Sequence, residues 1–351
     1  MRTHVRRPEW ILAATFVLAL SSPAAVAQDR PASAPPALPG RLVDVGGWRL
    51  HLHCTGAARP GQPTVILEAG IGDFSVEWSL VQPKVAAFTR VCSYDRADEG
   101  WSDYGPHPRT MHQIVYELHT LLTKAGVQPP YVLVGHSYGG WLVRLYRTQY
   151  PSDVVGLVLV EGGGDDPVRV LGDGKMRRAS DLVTGKTIPE VKTSNPIQEA
   201  NIPPNVVAQL TQAAARFGPK ANEESRTKLP PDAQRARTWV YGQIKHWAQS
   251  DNPYEPEELA GLRAERAANP HLYGDMPLIV LTRGMSEESG PDSKAFEAEH
   301  RTEHEAIARL STNGRLIVAE KSGHHVQLDQ PDLVVISIRD TVVAAAAHAR
   351  P

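Results

Sequence analysis

The chain has 351 residues, of which 41% are hydrophobic, enough for a real core in one large α/β domain or two ordinary ones. Lys+Arg 37 against Asp+Glu 39 gives a formal net charge of -2. That balance excludes the basic surplus of a nucleic-acid footprint.

Residues 1–27 do not read as fold. Arg2, Arg6 and Arg7 precede an apolar segment from Trp10 to Leu20, and Ala25-Val26-Ala27 offers small residues for cleavage before Gln28, the layout of a secretory signal peptide. The apolar segment is about half the length of a bilayer-spanning helix, so no stable membrane span is expected after cleavage. The absence of a cysteine near the cleavage site argues against a lipid anchor, and Pro8 and Glu9 weaken the twin-arginine hint of Arg6-Arg7. The expected location is therefore export, periplasmic or secreted. Gln28 to Gly40, rich in Pro and Ala, reads as a flexible or extended spacer. In an oxidising compartment the two cysteines, Cys54 and Cys92, are more often bridged than free.

Val43 to Gly56 alternates apolar and polar around Gly46-Gly47, which predicts a β-hairpin with Trp48, Leu50, Leu52 and Cys54 on one face. His51 and His53 fall on the other face and read as a solvated edge strand. Thr64 to Glu68 is a short buried strand that runs into Ala69-Gly70-Ile71-Gly72-Asp73. Glycines at that exit let backbone amides approach a ligand closely, as an oxyanion hole requires. Arg90 to Tyr94 is the next strand. Thr110 then caps a helix whose apolar positions Ile114, Val115, Leu118 and Leu122 recur at helical spacing until Gly126.

Tyr131 to Gly140 is an apolar run that stops at a serine boxed by glycines, Gly135-His136-Ser137-Tyr138-Gly139-Gly140, and then turns amphipathic to Tyr150. Strand, sharp turn and helix around G-x-S-x-G hold a serine on a strained corner with its oxygen exposed, and the helix N-terminus points its amides and positive dipole end at that oxygen. Ser137 is the candidate nucleophile. Val154 to Val160 is a continuous apolar strand ending at Glu161-Gly162-Gly163-Gly164. Strands joined by helices in this manner require a parallel sheet with right-handed crossovers.

From Asp165 to Asp275 the sequence turns polar, with helical patterns near Asn205 to Phe217, Asp232 to Gln249 and Glu257 to Ala268 and no convincing strand. It reads as a helical insertion over the core. Pro277 to Thr282 returns to a buried strand, Lys294 to Leu310 to a helix, and Leu316 to Ala319 to a last strand, followed by Ser322-Gly323-His324-His325 and a closing helix rich in Val, Ile and Ala.

With the elbow, the Gly70 turn, Asp95-Arg96 followed by Gly100-Trp101-Ser102-Asp103, and Gly323-His324 in hand, the chain resembles the α/β-hydrolase superfamily over roughly Leu42 to Val343. The resemblance implies a mostly parallel eight-stranded sheet with a helical cap after the sixth strand. Residues 41–164 and 276–351 would form the core and 165–275 the cap. It also implies Ser137 as nucleophile, His324 as general base, and the amides of Ile71 and Tyr138 as oxyanion donors. Hydroxyl activation by imidazole and amide stabilisation of a tetrahedral oxyanion make chemical sense of those roles. Two departures stand out: Ala69-Gly70 replaces the common His-Gly, and Arg96-Ala97-Asp98-Glu99-Gly100 replaces Arg-Ala-Gly-x-Gly, placing extra acid near the entrance. A serine at the elbow disfavours the dehalogenase and epoxide-hydrolase chemistries of the superfamily. In the family's strand order Cys54 and Cys92 lie on neighbouring strands, within reach of a bridge if their α-carbons approach within about 7 Å.

The triad acid stays open between two positions. Glu287, in Gly284-Met285-Ser286-Glu287, occupies the usual place after the seventh strand, with Glu288 and Asp292 nearby; Glu161 is the first residue past the sixth strand. Preorganisation ranks Glu161 ahead, since an acid emerging from a buried strand is better fixed than one in a polar loop. His300-Arg-Thr-Glu303-His304 satisfies the inverted zinc-peptidase pattern H-x-x-E-H, but with no third ligand evident it reads as a solvated helix face and no metal is expected. The resulting expectation is an exported serine hydrolase acting on an ester or related small acyl compound, without a cofactor. Acyl transfer or carbon-carbon bond hydrolysis on the same triad is the enzymatic alternative, and a catalytically silent binding protein of the same fold is the non-enzymatic one. Trp239 and Tyr241, with Trp247 and Tyr254, are the expected apolar contacts to substrate in the cap, the alternative for each being the cap's own core.

Overall fold

The computed structural model of the chain describes residues 35–170, 176–248, 252–286 and 293–348. The expected signal peptide, most of the spacer, and Glu287 with Glu288 and Asp292 lie outside the described residues. In chain order the elements are β1 Arg41–Asp44, β2 Arg49–Thr55, β3 Thr64–Glu68, α1 Gln82–Ala86, β4 Val91–Tyr94, α2 Met111–Lys124, β5 Tyr131–His136, α3 Tyr138–Gln149 and β6 Val154–Val160. There follow β7 Val168–Val170, β8 Met176–Arg178, α4 Pro204–Phe217, α5 Pro231–Tyr241, α6 Ile244–Ala248 and α7 Glu255–Ala268. The chain closes with β9 Leu278–Arg283, α8 Ser293–Ala308, β10 Gly314–Ala319, α9 Val326–Asp329 and α10 Pro331–His348.

Eight strands form one sheet in the order β1-β2-β4-β3-β5-β6-β9-β10. The β1–β2 and β2–β4 pairs are antiparallel and the others parallel. The central strands are apolar at nearly every position because both faces are covered. Ile66, Leu133, Leu157, Leu159 and Val280 pack with α2, α3 and Trp48 on one face. Their alternates Val65, Leu67, Val132, Val134, Val158 and Leu281 pack with α1 and α10 on the other. On α10, Val334, Ile338 and Val342 recur every four residues, all buried, which is the stripe a helix needs to lie on a sheet. Fully burying each such side chain contributes about 1.5–3 kcal/mol, so a charge at Ile338 would detach this layer.

Cys54 pairs with Cys92 across β2 and β4, and the two are disulfide-bonded with α-carbons 4.0 Å apart. Strand order also corrects the reading of β2. It lies between β1 and β4 rather than at the edge, and His51 is fully buried, with Nδ1 2.8 Å from Asp95 Oδ2. His53 is half-buried. The alternation identified two faces correctly, but α/β folding covers both of them.

Among the described residues, α4 to α7 lie between β6 and β9, as the polar segment suggested, with two differences. A short antiparallel ribbon, β7 with β8, occurs where no strand was expected; three residues per strand are too few to leave a periodic signal. The helix expected from Asp232 to Gln249 is two, α5 and α6, broken at Gly242, where an interior glycine costs about 1 kcal/mol relative to alanine. This segment is joined to the core through an apolar cluster, in which Leu229, Ala233, Ala236 and Val240 pack with Phe74, Val76 and Leu328, and through ions. Arg226 and Arg237 reach Asp73 at 3.2 and 3.0 Å, and Arg237 also meets Glu77. His246 Nδ1 lies 2.8 Å from Glu99. Glu258 accepts the Met111 and His112 amides at the α2 N-terminus, at 3.0 and 3.1 Å, where a helix dipole favours a carboxylate. Asp98 and Glu99, expected near an entrance, are fully buried instead: Asp98 accepts from the Gly105 amide and faces His107 at 3.0 Å, and Glu99 serves His246.

Candidate active site

Ser137 sits between β5 and α3 with φ 51° and ψ -120°, a conformation that few non-glycine residues adopt and that is held only by surrounding structure. Its amide donates to Val160 O at 3.2 Å, and its carbonyl accepts from Gly140 and Gly163 at 2.8 and 3.2 Å. The glycines around it are there for space. A Cβ on Gly135 would lie 2.4 Å from Gly139 O, one on Gly139 2.7 Å from Glu68 O and Ala69 O, and one on Gly140 2.8 Å from Gly162 Cα. Any side chain at these three positions would force β5, β3 or the β6 exit away from the elbow. As the first residue of α3, Tyr138 has an amide without an intrahelical acceptor.

The turn at Gly70 packs on the elbow, because a Cβ there would lie 2.9 Å from His136 Nδ1. Arg96 holds it. This fully buried guanidinium donates to Ala69 O at 2.8 Å, to Gly70 O and to Asp73 O at 3.2 Å, and is neutralised by Glu68 at 2.7 Å. Ile71, the residue expected to offer its amide, has a side chain more than half exposed. Cap residues brace the other end of the turn. Burial pushes the Asp73 carboxyl upward, but Arg226 and Arg237 outweigh it and hold the group well below the ordinary carboxylate range, while the Tyr241 hydroxyl donates to Gly72 O at 3.2 Å.

Glu161 leaves β6 with φ 49° and is fully buried. Its Oε2 accepts the Arg283 amide at 2.7 Å; its Oε1 meets Arg283 Nη1 at 2.8 Å, His300 Nε2 at 2.6 Å and His324 Nδ1 at 3.9 Å. The last is an ion-pair separation, longer than a hydrogen bond. Burial alone would raise this carboxyl; the His300 and His324 imidazoles hold it well below the usual range instead, so it is a carboxylate at neutral pH. The second candidate acid, Glu287, lies outside the described residues.

His324 is held from behind by His136, whose Nε2 donates to the His324 carbonyl at 3.0 Å. Burial keeps His136 down at about 3, neutral at any working pH. Sequence reasoning missed His136, which occupies the unspecified position of G-x-S, and missed Arg283 and His300 as partners of Glu161. It noticed His300 and His304 but assigned both to solvent. His304 is in fact fully buried, with Nε2 2.6 Å from Gly162 O, because α8 turns this face onto β9 and the β6 exit. Trp239 and Tyr241 lie on the cap side, Trp239 beside Trp101 with ring centroids 5.9 Å apart and Tyr241 against His246 at 4.2 Å. Trp247 donates to Tyr241 O at 3.0 Å and Tyr254 lies beneath Lys186, so these two serve the cap's own packing.

The sequence profile of the alpha/beta hydrolase family matches residues 50–336. The chain is 26% identical over 300 residues to an AB hydrolase superfamily protein of Gibberella zeae, covering 81% of this chain and 87% of that one. Among solved structures it resembles a thermophilic esterase from Thermogutta terrifontis (TM-score 0.56, 18% identity, 88% of this chain and 100% of that one). It also resembles a meta-cleavage product hydrolase from Pseudomonas fluorescens (TM-score 0.54, 17% identity, 86% and 98%).

Proposed function

This chain belongs to the alpha/beta hydrolase family, and we propose that it is an exported serine hydrolase that cleaves a small-molecule ester or related acyl compound through an acyl-enzyme. The observation that carries the reading is the strained Ser137 at the α3 N-terminus, on the same sheet edge as a buried, ionised Glu161 3.9 Å from His324. Ser137 Oγ attacks the acyl carbon as its proton passes to His324. The tetrahedral oxyanion is received by the amides of Ile71 and Tyr138, and the leaving alcohol takes the proton from His324. Water then repeats the sequence on the acyl-enzyme, with Glu161 orienting Nδ1–H of the imidazole and stabilising the imidazolium. No cofactor is needed for this chemistry.

Glu161 is preferred as the acid because its geometry is fixed by Arg283 and His300, which is what an orienting carboxylate requires. The segment 165–275 acts as the substrate-selecting cap, with Trp239 and Tyr241 facing the acyl group. The segment 1–27 acts as the export signal. The test is labelling of the purified protein with a fluorophosphonate, followed by a panel of nitrophenyl esters of increasing acyl length. Labelling confined to Ser137, and lost with turnover in Ser137→Ala, is the expected result; a folded protein that takes no label at Ser137 would point to a binding protein instead.

A further inference from the structure

Behind the candidate acid, three potential metal ligands converge. One ligand atom each from Glu161, His300 and His304 lies within 4.8 Å of the others. The two histidines are four residues apart on α8, with ring centroids 4.2 Å apart, and the carboxylate arrives from the β6 exit. His304 is the telling member. It is fully buried, and its Nε2 donates to the Gly162 carbonyl at 2.6 Å. That bond fixes the tautomer and leaves a lone pair on Nδ1, which is buried and has no hydrogen-bond partner among the described residues. Metal-ligating histidines are oriented in this way, with the other ring nitrogen donating to a backbone carbonyl or carboxylate.

The charges fit a cation. Arg283 touches Glu161 Oε1 at 2.8 Å but is shared with Glu297, at 2.9 and 3.2 Å, so two carboxylates face one guanidinium. Arg283 also retains Glu161 Oε2 through its backbone amide at 2.7 Å, leaving Oε1 as the atom to be given up. An approach is open: His300 lines a cavity of about 450 Å³ together with Arg283, Ser286 and Glu297. The intervening Glu303 of H-x-x-E-H faces elsewhere, toward the Asp165 amide at 3.3 Å and Arg266 at 3.4 Å, so the general base that the zinc-peptidase pattern requires is not at this site.

We propose that Glu161, His300 and His304 form a site for a borderline divalent metal of the Zn²⁺ type, and that its occupation withdraws Glu161 from His324. Two imidazoles and one carboxylate are a donor set suited to Zn²⁺, with water in the fourth position. Tetrahedral bonds of about 2.0–2.1 Å put ligand atoms roughly 3.4 Å apart, so the His300 Nε2–Glu161 Oε1 pair, now at 2.6 Å, opens while separations of up to 4.8 Å close; rotation of the partly exposed His300 ring supplies the change. On binding, the metal takes the place of the proton between His300 Nε2 and Glu161 Oε1, and His300 serves as a neutral imidazole that carries its proton on Nδ1. Because Oε1 is also the Glu161 atom nearest His324, the metal-bound enzyme loses Glu161 as the acid that orients its base. The metal thus acts as a reversible inhibitor rather than as a catalyst. This second half rests on Glu161 being the triad acid; the first half does not.

Direct Zn²⁺ titration against a chromophoric chelator, at neutral pH on the full folded chain, reads the site without reference to activity. One equivalent should bind, and His304→Gln, which can still donate to Gly162, should weaken it at least about a hundredfold, since losing even an outer-shell partner costs about 10–100-fold. His300→Gln, on the more accessible face of α8, gives the same reading should the buried substitution disturb folding. His324→Ala should bind Zn²⁺ as the parent does. Binding that is absent, unaffected by both α8 substitutions, or abolished by His324→Ala overturns the site. Zn²⁺ should also slow fluorophosphonate labelling of Ser137 in the parent and not in His304→Gln. If Zn²⁺ binds through His304 yet leaves labelling unchanged, the metal site stands, and the withdrawal of Glu161, with its role as triad acid, is refuted.

Discussion

His136 and His324, 188 positions apart, are joined by a 3.0 Å hydrogen bond from the Nε2 of one to the main-chain oxygen of the other. The residue before the candidate nucleophile therefore sets the height of the loop carrying the candidate base. Because His136 is neutral, with burial holding it at about 3, its Nε2 proton stays in place over the working range. His136→Phe keeps the ring volume and removes the donor. Loss of one such bond is worth about 0.5–1.5 kcal/mol, so kcat toward a nitrophenyl ester should fall roughly three- to tenfold or more, with KM little changed. An unchanged kcat would mean that the loop is positioned by its other contacts.

Local signals made the elbow legible before any coordinates, since the spacing of Gly135, Ser137, Gly139 and Gly140 reports a close approach that only small residues permit. The strands of the main sheet were equally legible, from apolar runs and their interruption, whereas the short β7–β8 ribbon was not. The surroundings of the acid were not. Arg283 and His300 reach Glu161 from 122 and 139 residues away, and nothing local announces a contact of that range. His51 was misread for a related reason: alternation tells which residues share a face, not whether a neighbouring strand and Asp95 will cover it.

The cap is latched to the Gly70 turn through the buried Asp73, whose carboxylate faces Arg226 and Arg237 at 3.2 and 3.0 Å. Asp73→Asn preserves shape but removes one of the two carboxylates, with Glu77, that face the buried Arg237 and the part-buried Arg226. Breaking one side of a buried ion cluster typically costs about 3–5 kcal/mol. Urea unfolding should show a loss of that size, and fluorophosphonate labelling should slow as the Gly70 turn loosens. A loss below about 1 kcal/mol would show that Asp73 is not the latch.

The pH dependence of stability should carry the signature of the His51–Asp95 pair, both members fully buried and 2.8 Å apart. Burial lowers the His51 pKa, but Asp95 outweighs it and the net shift is upward. Burial raises that of Asp95, but His51 and the amides of Trp101 and Ser75 outweigh it and the net shift is downward. With His51 raised, its contribution is complete below the unfolded value of about 6.5 and is lost as pH rises through the higher folded value; with Asp95 lowered, its contribution is complete above about 3.9 and is lost as pH falls through the lower one. The pair therefore stabilises most between about pH 4 and 6.5. The fall in unfolding free energy from pH 6 to 9 should be smaller in His51→Gln than in the parent, and equal slopes would remove His51 from the account.

Cys54 and Cys92 are cross-strand partners, so oxidised protein should yield one linked peptide pair and no alkylatable thiol by mass spectrometry. Replacing both by serine should cost about 2–4 kcal/mol, the usual contribution of one bridge. Two free thiols in protein recovered from an oxidising compartment would contradict the bond.

The acid is where sequence and structure together make the sharpest claim. Glu161 is buried and ionised, with Oε1 3.9 Å from His324 Nδ1 and both oxygens held by Arg283; a modest rotation of the imidazole converts that separation into a hydrogen bond. Replacing the carboxylate by its isosteric amide keeps the volume but removes the charge that stabilises the imidazolium and selects its tautomer. In the well-studied serine protease case the equivalent change lowers kcat about 10⁴-fold. Glu161→Gln should therefore reduce ester turnover by several orders of magnitude while leaving the protein folded, because the amide can still accept from the Arg283 backbone. Glu287→Gln should be mild. Stopped-flow assays on both variants, with circular dichroism to establish folding, decide between the two positions: near-normal turnover in Glu161→Gln with collapse in Glu287→Gln would move the acid to the loop after β9.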